Sequence, residues 1–462
     1  MSQFGKIEID FLKKYDKPGP RYTSYPTAPV FTDKFTETDY RNEIIKTNAD
    51  LNAPDLSLYF HFPYCDSLCY FCGCTMLVTR DRNKIQKYNT EIKKEIDMIL
   101  PLVSDSRKVS QLHWGGGTPS YLSPDEIREV GLYVKDRFNF AEDIEASVEV
   151  DPRELTFAHM QAFAESGFNR VSMGVQDLTE KVQKAINRIQ PLDITLDAVN
   201  WSRKTGMKSI NIDLIYGLPY QTGESFADTL DEIIKISPDR IAVFNYAHVP
   251  WMKKHQQVIP QDALPKPEDK LNTLIMTIDK LSRAGYWYIG MDHFAKPDDE
   301  LSVAQKNKTL YRNFQGYSTK AGCDVYAFGM SAISQFSSIY AQNVKTIKDY
   351  SERMSSGKLA THLGYRMTED DHIRKDVINN LMCHLEIDKN DISKRYSISF
   401  DDYFKDALIN LKPFENEGLV SFTEGKIRVA EMGKLVIRNI AMCFDAYIDK
   451  LQGNKPVFSR TV

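Results

Sequence analysis

The sequence predicts an α/β fold: a partial or complete β/α (TIM-like) barrel followed by a mainly helical C-terminal domain. Short apolar runs recur between residues 58 and 246, each is followed by a stretch with helical character, and the pattern changes after about residue 357. Strands that alternate with helices pair in parallel through right-handed crossovers. A chain of this kind forms a sheet that curves into a full or partial barrel.

Six apolar runs are predicted to be the parallel strands, and their continuous apolar character predicts strands covered on both faces. A further run, 286–293, could continue the sheet or close its side. After the second strand, Ser123, Pro124 and Glu126 have the positions of a cap, an N1 proline and the returning glutamate of a capping box, which predicts a helix start. The six runs are 58–62, 109–114, 146–150, 170–175, 209–216 and 240–246.

The chain divides into three predicted regions. At 462 residues it exceeds what one core usually serves, so we expect a tail packing on the active site (1–40), a barrel domain (41–356) and a mainly helical domain (357–462). The last region contains a helical pattern at 370–385 and a hairpin-like stretch at 419–429. Helices followed by a hairpin are typical of winged-helix domains, but the lack of a basic stripe favours a lid or packing role.

Composition is that of an ordinary globular chain, with 42% hydrophobic and 26% charged residues. The net charge of -4 offers no basic field for nucleic acid. No apolar stretch reaches the roughly 18 residues of a membrane span, and the first twenty residues mix acidic and basic side chains. We therefore expect a cytoplasmic protein that binds neither nucleic acid nor membrane.

Four of the seven cysteines, Cys65, Cys69, Cys72 and Cys74, fall within a run of ten residues. Clustered thiolates select iron–sulfur clusters, zinc or copper(I). The spacing C-x3-C-x2-C of the first three leaves one coordination position open, which Cys74 could close in a structural zinc site. The aromatic neighbours and the lack of a second Cys or His pair nearby favour an iron–sulfur cluster, and the other cysteines are expected to be buried apolar side chains.

Small and polar residues lie at the ends of the predicted strands. The glycine run 115–117 either lets backbone groups approach a ligand or makes a tight turn. Glu149 and Asp213 are carboxylates inside apolar strands, and each is either a ligand-binding group or half of an ion pair with Arg170 or Arg188. Because the carboxyl ends of barrel strands meet at one face, we expect a single site there. Its members are Cys65, residues 115–118, Glu149, Gln176, Asp213 and Ala247.

The cysteine run, preceded by the strand Leu58-Tyr59-Phe60-His61-Phe62-Pro63, resembles that of the radical S-adenosylmethionine enzymes. Within that superfamily the chain is similar to the oxygen-independent coproporphyrinogen III oxidases. This narrower resemblance rests on Gly73-Cys74, on the segment PRYTSYPT at 20–27 and on RNFQGY at 312–317, which together span nearly the whole chain.

The resemblance implies a [4Fe-4S] cluster held by Cys65, Cys69 and Cys72, with Cys74 outside the ligand set, and two molecules of S-adenosylmethionine, the first at the open iron. Arg188 and Asp213 could then hold the carboxylate and ammonium of a methionyl group. A substrate with four propionates needs anchors, and the candidates are Arg21, Arg312, Gln315 and Arg438. Residues that match contacts to the first molecule are Tyr59, Gly116, Glu149 and Ile333, and those that match contacts to the second are Phe71, Gly117, Thr118, Gln176, Arg188, Asp213 and Ala247.

The implied activity is the anaerobic oxidative decarboxylation of two propionate side chains of coproporphyrinogen III to vinyl groups, which yields protoporphyrinogen IX in haem biosynthesis. For each propionate, a 5′-deoxyadenosyl radical derived from S-adenosylmethionine would take a hydrogen atom from the β-carbon. The cofactor supplies this chemistry while the barrel positions the reacting carbon. The implied partners are a low-potential electron donor such as flavodoxin or ferredoxin and an unidentified electron acceptor, and the resemblance implies a monomer.

Two alternatives stay open. A haem chaperone of the same superfamily would resemble the chain around the cluster, but such relatives typically have Phe in place of Cys74 and lack the Arg21-Tyr22-Thr23 segment. A nucleic-acid binding protein with the cluster as a redox sensor would use the C-terminal helices and hairpin, and its binding would weaken steeply with salt.

Overall fold

Strands and helices alternate through most of the chain, as expected of β/α units. The structure, a computed structural model, describes residues 7–451 and 458–461. Its strands are β1 Leu56–Phe62, β2 Tyr64–Cys65, β3 Leu77–Val78, β4 Lys108–Gly116, β5 Asn139–Val150, β6 Arg170–Gln176, β7 Ser209–Tyr216, β8 Arg240–Asn245, β9 Trp287–Gly290, β10 His293–Ala295, β11 Tyr311–Asn313, β12 Gly316–Ser318, β13 Asp324–Phe328, β14 Ile333–Gln335, β15 Ile339–Asn343, β16 Thr361–Arg366, β17 Glu386–Asp388, β18 Val420–Thr423 and β19 Lys426–Val429. Its α-helices are α1 Ile9–Tyr15, α2 Glu37–Asn48, α3 Arg82–Ile99, α4 Pro124–Lys135, α5 Phe157–Glu165, α6 Glu180–Ala185, α7 Leu192–Lys204, α8 Gly223–Ile236, α9 Pro267–Arg283, α10 Glu300–Lys306, α11 Ile347–Ser355, α12 Glu369–His384, α13 Lys389–Tyr396, α14 Phe400–Tyr403, α15 Lys405–Asn416, α16 Ile437–Met442 and α17 Ile448–Leu451.

One sheet of 12 strands forms the body of the protein, in the order β16-β15-β14-β13-β1-β4-β5-β6-β7-β8-β10-β9. From β13 to β8 all neighbours are parallel. Antiparallel strands extend the sheet on both flanks. Within the described chain the end strands β16 and β9 do not pair with each other. The predicted β/α barrel is therefore present in its partial form.

All six predicted parallel strands are present, and β7 has the predicted bounds. The run 286–293 is not one strand: it divides into β9 and β10, an antiparallel hairpin that closes one side of the sheet. Strands β13 to β16 were not predicted, although β13 contains the apolar run 325–328, which is as strong a strand signal as some of the predicted runs. The predicted capping box is confirmed, since the Glu126 carboxylate accepts from Ser123 N at 2.8 Å and Ser123 Oγ accepts from Glu126 N at 3.3 Å.

The two faces of the parallel strands, which were expected to be covered on both sides, differ in chemistry and in burial. On one face, side chains such as Leu58, Leu112 and Ile212 are fully buried in the core. On the other face lie polar side chains such as His113 and Asp213, which are only partly buried. Successive residues of a strand point to opposite faces, so one face packs under helices and the other lines the interior of the curved sheet.

The chain before β1 and the chain after β16 lie against each other and against the sheet. Thr32 pairs with Gly364 of β16, and Pro18 pairs with Arg460. The predicted helix 370–385 is α12 and the predicted hairpin is β18–β19, which joins β17 in a three-stranded sheet. β16 lies beyond residue 357 yet pairs with β15, so the large sheet continues past the predicted domain boundary. None of the helices in the described ranges is long and apolar enough to cross a membrane.

Candidate functional site

The cysteine loop, residues 65–74, follows β1, and its main chain is hydrogen-bonded to two segments that follow other strands. Tyr70 N donates to Ile186 O at 2.9 Å. Gln256 Nε2 donates to Phe71 O at 3.0 Å. The conformation of the loop therefore depends on the segments that follow β6 and β8, not on its own sequence alone.

The thiols of the cysteine loop lie among polar and cationic groups. Cys65 Sγ is 3.1 Å from Thr118 Oγ1. Burial raises the pKa of Cys65 to about 12, although the Thr118 hydroxyl opposes this, so a metal must displace the thiol proton. A hydrogen bond from the neighbouring thiol of Cys74 lowers the pKa of Cys72 to about 6. Cys74 is thus a hydrogen-bond partner of a predicted cluster ligand.

The donor set fits an iron–sulfur cluster. Cys65, Cys69 and Cys72 lie on one short loop and are buried or half-buried, while Cys74 is exposed. Among residues 7–451 and 458–461, no three His, Cys, Asp or Glu side chains converge closely enough to hold a single metal ion. A cluster does not require such convergence, because each of its irons takes its own thiolate.

Asp151, directly after β5, clamps two arginines beside the cysteine loop. Its carboxylate accepts from Arg188 Nη1 at 2.8 Å and from Arg153 Nη2 at 2.7 Å. The same two guanidiniums reach Cys69 Sγ, at 3.7 Å for Arg188 and 3.6 Å for Arg153. Burial opposes ionisation of Asp151, but the two arginines outweigh it and lower its pKa to about 2. The clamp places positive charge where a cluster with anionic ligands would lie.

The glycine run at the end of β4 is needed for packing against the end of β1. Gly116 has a φ of 110°, and a Cβ there would lie 2.5 Å from the His61 ring. A Cβ on Gly117 would lie 2.5 Å from Pro63 O. Gly116 N donates to Glu149 Oε2 at 3.2 Å. The run therefore makes a close strand contact and also directs one amide at a predicted site carboxylate.

Glu149 and its neighbours form a polar group on the interior face. The rings of Tyr59 and His113 stack with centroids 5.8 Å apart. His113 Nε2 lies 3.2 Å from Glu149 Oε1, and His113 Nδ1 lies 2.5 Å from Ser147 Oγ. Burial alone would raise the pKa of Glu149, but His113 and the Gly116 amide hold it below its usual value. The Glu149 side chain is still 46% accessible, so it faces open space as a ligand-binding carboxylate must.

Asp213 does not pair with Arg188 or Arg170. It accepts hydrogen bonds from Asn211 Nδ2 at 2.7 Å and from Ser172 Oγ at 3.0 Å. Burial raises the pKa of Asp213 to about 6, against these two hydrogen bonds. Both hydrogen bonds come from neutral donors, and Arg188 acts on the carboxylate only through its charge, so a cationic ligand group in contact with it would lower its pKa.

The remaining predicted S-adenosylmethionine residues are spread along the strand ends. Gln176 has a φ of 70° at the end of β6. Its buried Oε1, like Arg188 Nε, has no hydrogen-bond partner in the described part of the chain. Ala247 is exposed after β8, and Phe71 packs in a small apolar cluster beside Tyr246. Gly117 N and Thr118 N donate to Phe62 O and Tyr64 O, and Ile333 begins β14.

The predicted substrate anchors lie where the N-terminal segment meets β10, β11 and α16. Arg21 forms an ion pair with Asp292. Arg312 Nε donates to Arg21 O at 3.3 Å. Arg438 Nε donates to Pro20 O at 2.9 Å and its Nη1 to Arg460 O at 2.6 Å, so this side chain holds the N-terminal segment in place. Gln315 Nε2 is 3.5 Å from Ser57 Oγ.

Comparisons with known proteins identify the family. Residues 59–233 match the Radical SAM superfamily and residues 367–436 match the HemN C-terminal domain. The oxygen-independent coproporphyrinogen III oxidase of Helicobacter pylori strain J99 is 44% identical over 99% of this chain and 99% of its own. The chain belongs to the oxygen-independent coproporphyrinogen III oxidases. The oxidase of Escherichia coli K12 is 44% identical over 98% of both chains.

A solved structure of the Escherichia coli oxidase HemN, described as a radical SAM enzyme, superposes on this member of the oxidase family with a TM-score of 0.91. The match has 44% identity and covers 96% of this chain and 99% of that one. The resemblance inferred from the cysteine run and from the motifs at 20–27 and 312–317 is confirmed. Membership in the radical SAM superfamily brings with it a [4Fe-4S] cluster and S-adenosylmethionine as cofactors.

The sequence analysis missed several polar residues of this oxidase-family site. Asp151 and Arg153 follow β5 directly. The other candidates were chosen because they lie at the ends of predicted strands, and the same criterion would have selected these two residues. Asp292 and His293 had no such signal, because their hairpin was predicted as one strand. Their place beside Arg21 depends on a contact between distant parts of the chain.

Proposed function

We propose that this protein catalyses the anaerobic oxidative decarboxylation of coproporphyrinogen III to protoporphyrinogen IX in haem biosynthesis. The observation that carries the proposal is the 44% identity to proteins named as oxygen-independent coproporphyrinogen III oxidases, which extends over 99% of the chain. A likeness confined to the cluster region would support only radical chemistry. Here it includes the N-terminal segment and the C-terminal domain as well.

Cys65, Cys69 and Cys72 are the proposed cluster ligands. When bound, the cluster and S-adenosylmethionine supply the one-electron chemistry that removes a hydrogen atom from each reacting propionate. Arg153 and Arg188, held by Asp151 near Cys69 Sγ, offset the negative charge of the thiolates. Cys74 stays outside the ligand set and donates a hydrogen bond to Cys72.

The polar interior face provides the proposed sites for two molecules of S-adenosylmethionine. Glu149 and the Gly116 amide, with Tyr59 and Ile333, are proposed for the first. For the second, Asp213 suits an ammonium group, because burial raises its pKa and its carboxylate forms no ion pair within the described residues. Arg188 Nε and Gln176 Oε1 are buried and unsatisfied within the described residues, which supports a polar ligand at this position. The other residues proposed for the second molecule are Phe71, Gly117, Thr118 and Ala247.

Partners and location follow from the same proposal. The substrate is coproporphyrinogen III, and a low-potential donor such as flavodoxin or ferredoxin provides electrons to the cluster. A reducing compartment such as the cytoplasm suits cysteines that must stay reduced to bind a cluster. We propose that the protein acts as a monomer, with the tail, barrel and C-terminal regions as three parts of one unit.

The test is anaerobic turnover of the reconstituted protein with reductant, S-adenosylmethionine, coproporphyrinogen III and a cell extract as electron acceptor. We expect 5′-deoxyadenosine and protoporphyrin to form in proportion, with two molecules of the former for each of the latter. Deoxyadenosine without protoporphyrin would show radical chemistry on another substrate. Neither product, together with tight haem binding, would show a haem chaperone instead.

A further inference from the structure

The interior face carries a compact group of charged side chains that the cluster and S-adenosylmethionine sites leave unused. Arg21 comes from the N-terminal segment, Asp292 and His293 from the β9–β10 hairpin, and Arg312 from β11. Arg21 and Asp292 form an ion pair in which 36% of the arginine side chain and 16% of the aspartate side chain are accessible. The ion pair is therefore largely covered by protein, and part of the Arg21 side chain is open to solvent.

Positive charge exceeds negative charge in this group. Arg312 is 6% exposed and makes no ion pair within residues 7–451 and 458–461. Arg438 is 5% exposed, and burial together with the charge of Arg21 lowers its pKa to about 9. Burial and the charge of Arg312 lower the pKa of His293 to about 3. The His293 ring is therefore neutral, and the three arginines face one carboxylate, Asp292, which pairs with Arg21, so a second anion would be stabilised here.

Unsatisfied polar atoms mark the place where such an anion would lie. Arg312 Nη1 and His293 Nδ1 are buried and have no hydrogen-bond partner in the described part of the chain. Buried polar atoms are nearly always paired, so a missing partner indicates a ligand or water. Two rings frame the opening: Arg21 lies over Phe244 at 5.8 Å and Arg312 lies over Tyr317 at 4.7 Å. The rings restrict the orientation of the two guanidiniums and leave the N–H groups at the guanidinium edges available to a ligand.

The sheet register connects this group to the S-adenosylmethionine site. Asp213 of β7 pairs with Ala242 of β8, and Ala242 also pairs with His293 of β10. Paired residues project to the same face, so Asp213 and His293 lie in one row about 10 Å apart, two strand spacings across the sheet. The residue between them is Ala242, whose side chain is only a methyl group. A ligand can lie across Ala242 with one end at Asp213 and the other at Arg21.

We infer that Arg21, Arg312 and His293 form a carboxylate-binding subsite for a propionate of the substrate that is not reacting, and that Asp292 occupies Arg21 until that propionate displaces it. The inference rests on the proposed function. Two guanidiniums in fixed orientation match the planar geometry of a carboxylate. A propionate held here lies in the same row as Asp213, about 10 Å away across two strand spacings, which places the rest of the ring toward the second S-adenosylmethionine site. Arg438 is a positioning residue, because its donors hold the main chain at Gly19 and Pro20 next to Arg21.

The first experiment measures KM and kcat for coproporphyrinogen III with the reconstituted enzyme. Arg21→Gln and Arg312→Gln are each expected to raise KM about tenfold, the usual effect of losing a charged hydrogen bond, with kcat at saturation changed less than about threefold. Asp292→Asn removes the competing carboxylate and is expected to lower KM about threefold. Arg283→Gln is the matched control, because Arg283 is 70% accessible and pairs only along its own helix with Asp279. It should leave KM unchanged.

A second measurement is independent of turnover. Binding of coproporphyrin III, the oxidised ring with the same carboxylates, is followed by its fluorescence on the cluster-loaded enzyme. If the wild type fails to make protoporphyrin but Arg21→Gln weakens this binding about tenfold, the proposed function is wrong and the subsite stands. If Arg21→Gln does not fold, Arg21→Lys, which keeps the charge but loses the planar fork, should still weaken binding. Unchanged KM and unchanged porphyrin affinity in the folded Arg21 and Arg312 variants would overturn the inference, and a raised KM in Asp292→Asn would refute the displacement step.

Discussion

Replacing Asp151 by Asn tests whether the arginine clamp supports both the fold and the cluster. The side chain keeps its shape but loses the charge that neutralises Arg188 and Arg153. The exposed fractions are small, 10% for the Asp151 side chain, 7% for Arg188 and 16% for Arg153, so solvent does little to screen the loss. We expect the variant to be less stable and to hold its cluster poorly.

Two estimates bracket the magnitude of the loss. A pKa of about 2 in the folded state against an ordinary value of 3.8 corresponds to about 2 kcal/mol of stability. Because the folded pKa is depressed, this stability is present above about pH 4 and is lost as the pH falls toward 2. Measured losses on breaking buried pairs are about 3–5 kcal/mol. At pH 7 we therefore expect Asp151→Asn to lose about 3 kcal/mol.

The assay is urea unfolding of the cluster-free, reduced protein under anaerobic conditions at pH 7, followed by iron and sulfide analysis after reconstitution. Asp279→Asn is the control, because its partner Arg283 is 70% accessible and the exposed pair should contribute less than about 0.5 kcal/mol. A loss for Asp151→Asn no larger than that of the control, with normal cluster content, would refute the reasoning.

Three further predictions concern the same site. Cys69→Ser is expected to abolish the cluster absorption and deoxyadenosine formation together, whereas Cys323→Ser should keep both; a Cys69 variant with full cluster content would contradict the ligand assignment. Gly117→Ala should lower the urea midpoint, because its Cβ would lie 2.5 Å from a main-chain oxygen of the preceding strand end, while Gly73→Ala meets nothing within 4 Å and should behave as wild type. Asp213 has a pKa of about 6 against an ordinary 3.8, so wild-type stability should fall by up to about 3 kcal/mol as the pH rises from 4 through 6. Asp213→Asn should remove that part of the pH dependence in unfolding curves, and an unchanged slope would show that Asp213 is not desolvated.

Much of the fold follows from local sequence. The apolar runs at 109–114 and 209–216 became β4 and β7, and the capping box at Ser123 starts α4 as expected. These features depend on residues close together in the chain, whose preferences do not require knowledge of distant partners. The hairpin of β9 and β10 was missed for the opposite reason. Its division into two strands depends on pairing with β8, and the run 286–293 contains no turn signal strong enough to show it.

The candidate site divides in the same way. The spacing of Cys65, Cys69 and Cys72 determines a cluster-type donor set, because ligands so close in sequence must be close in space. Only the tertiary structure decided that Arg188 pairs with Asp151 and not with Asp213.

The carboxylate subsite is the clearest case of a feature that required the folded chain. Arg21 and Asp292 are 271 residues apart in the sequence, and Arg438 reaches Pro20 across 418 residues. The chain contains 59 lysines and arginines and 63 aspartates and glutamates, so charge alone allows very many pairings. By itself the sequence determined the family, the cysteine spacing from which the cluster ligands are proposed, and the order of six parallel strands along the chain. Which charged groups meet on the interior face was decided by the sheet order and by the contacts of the segment around Arg21 with Asp292 and Arg438, since burial stabilises only the pairs that those contacts bring together.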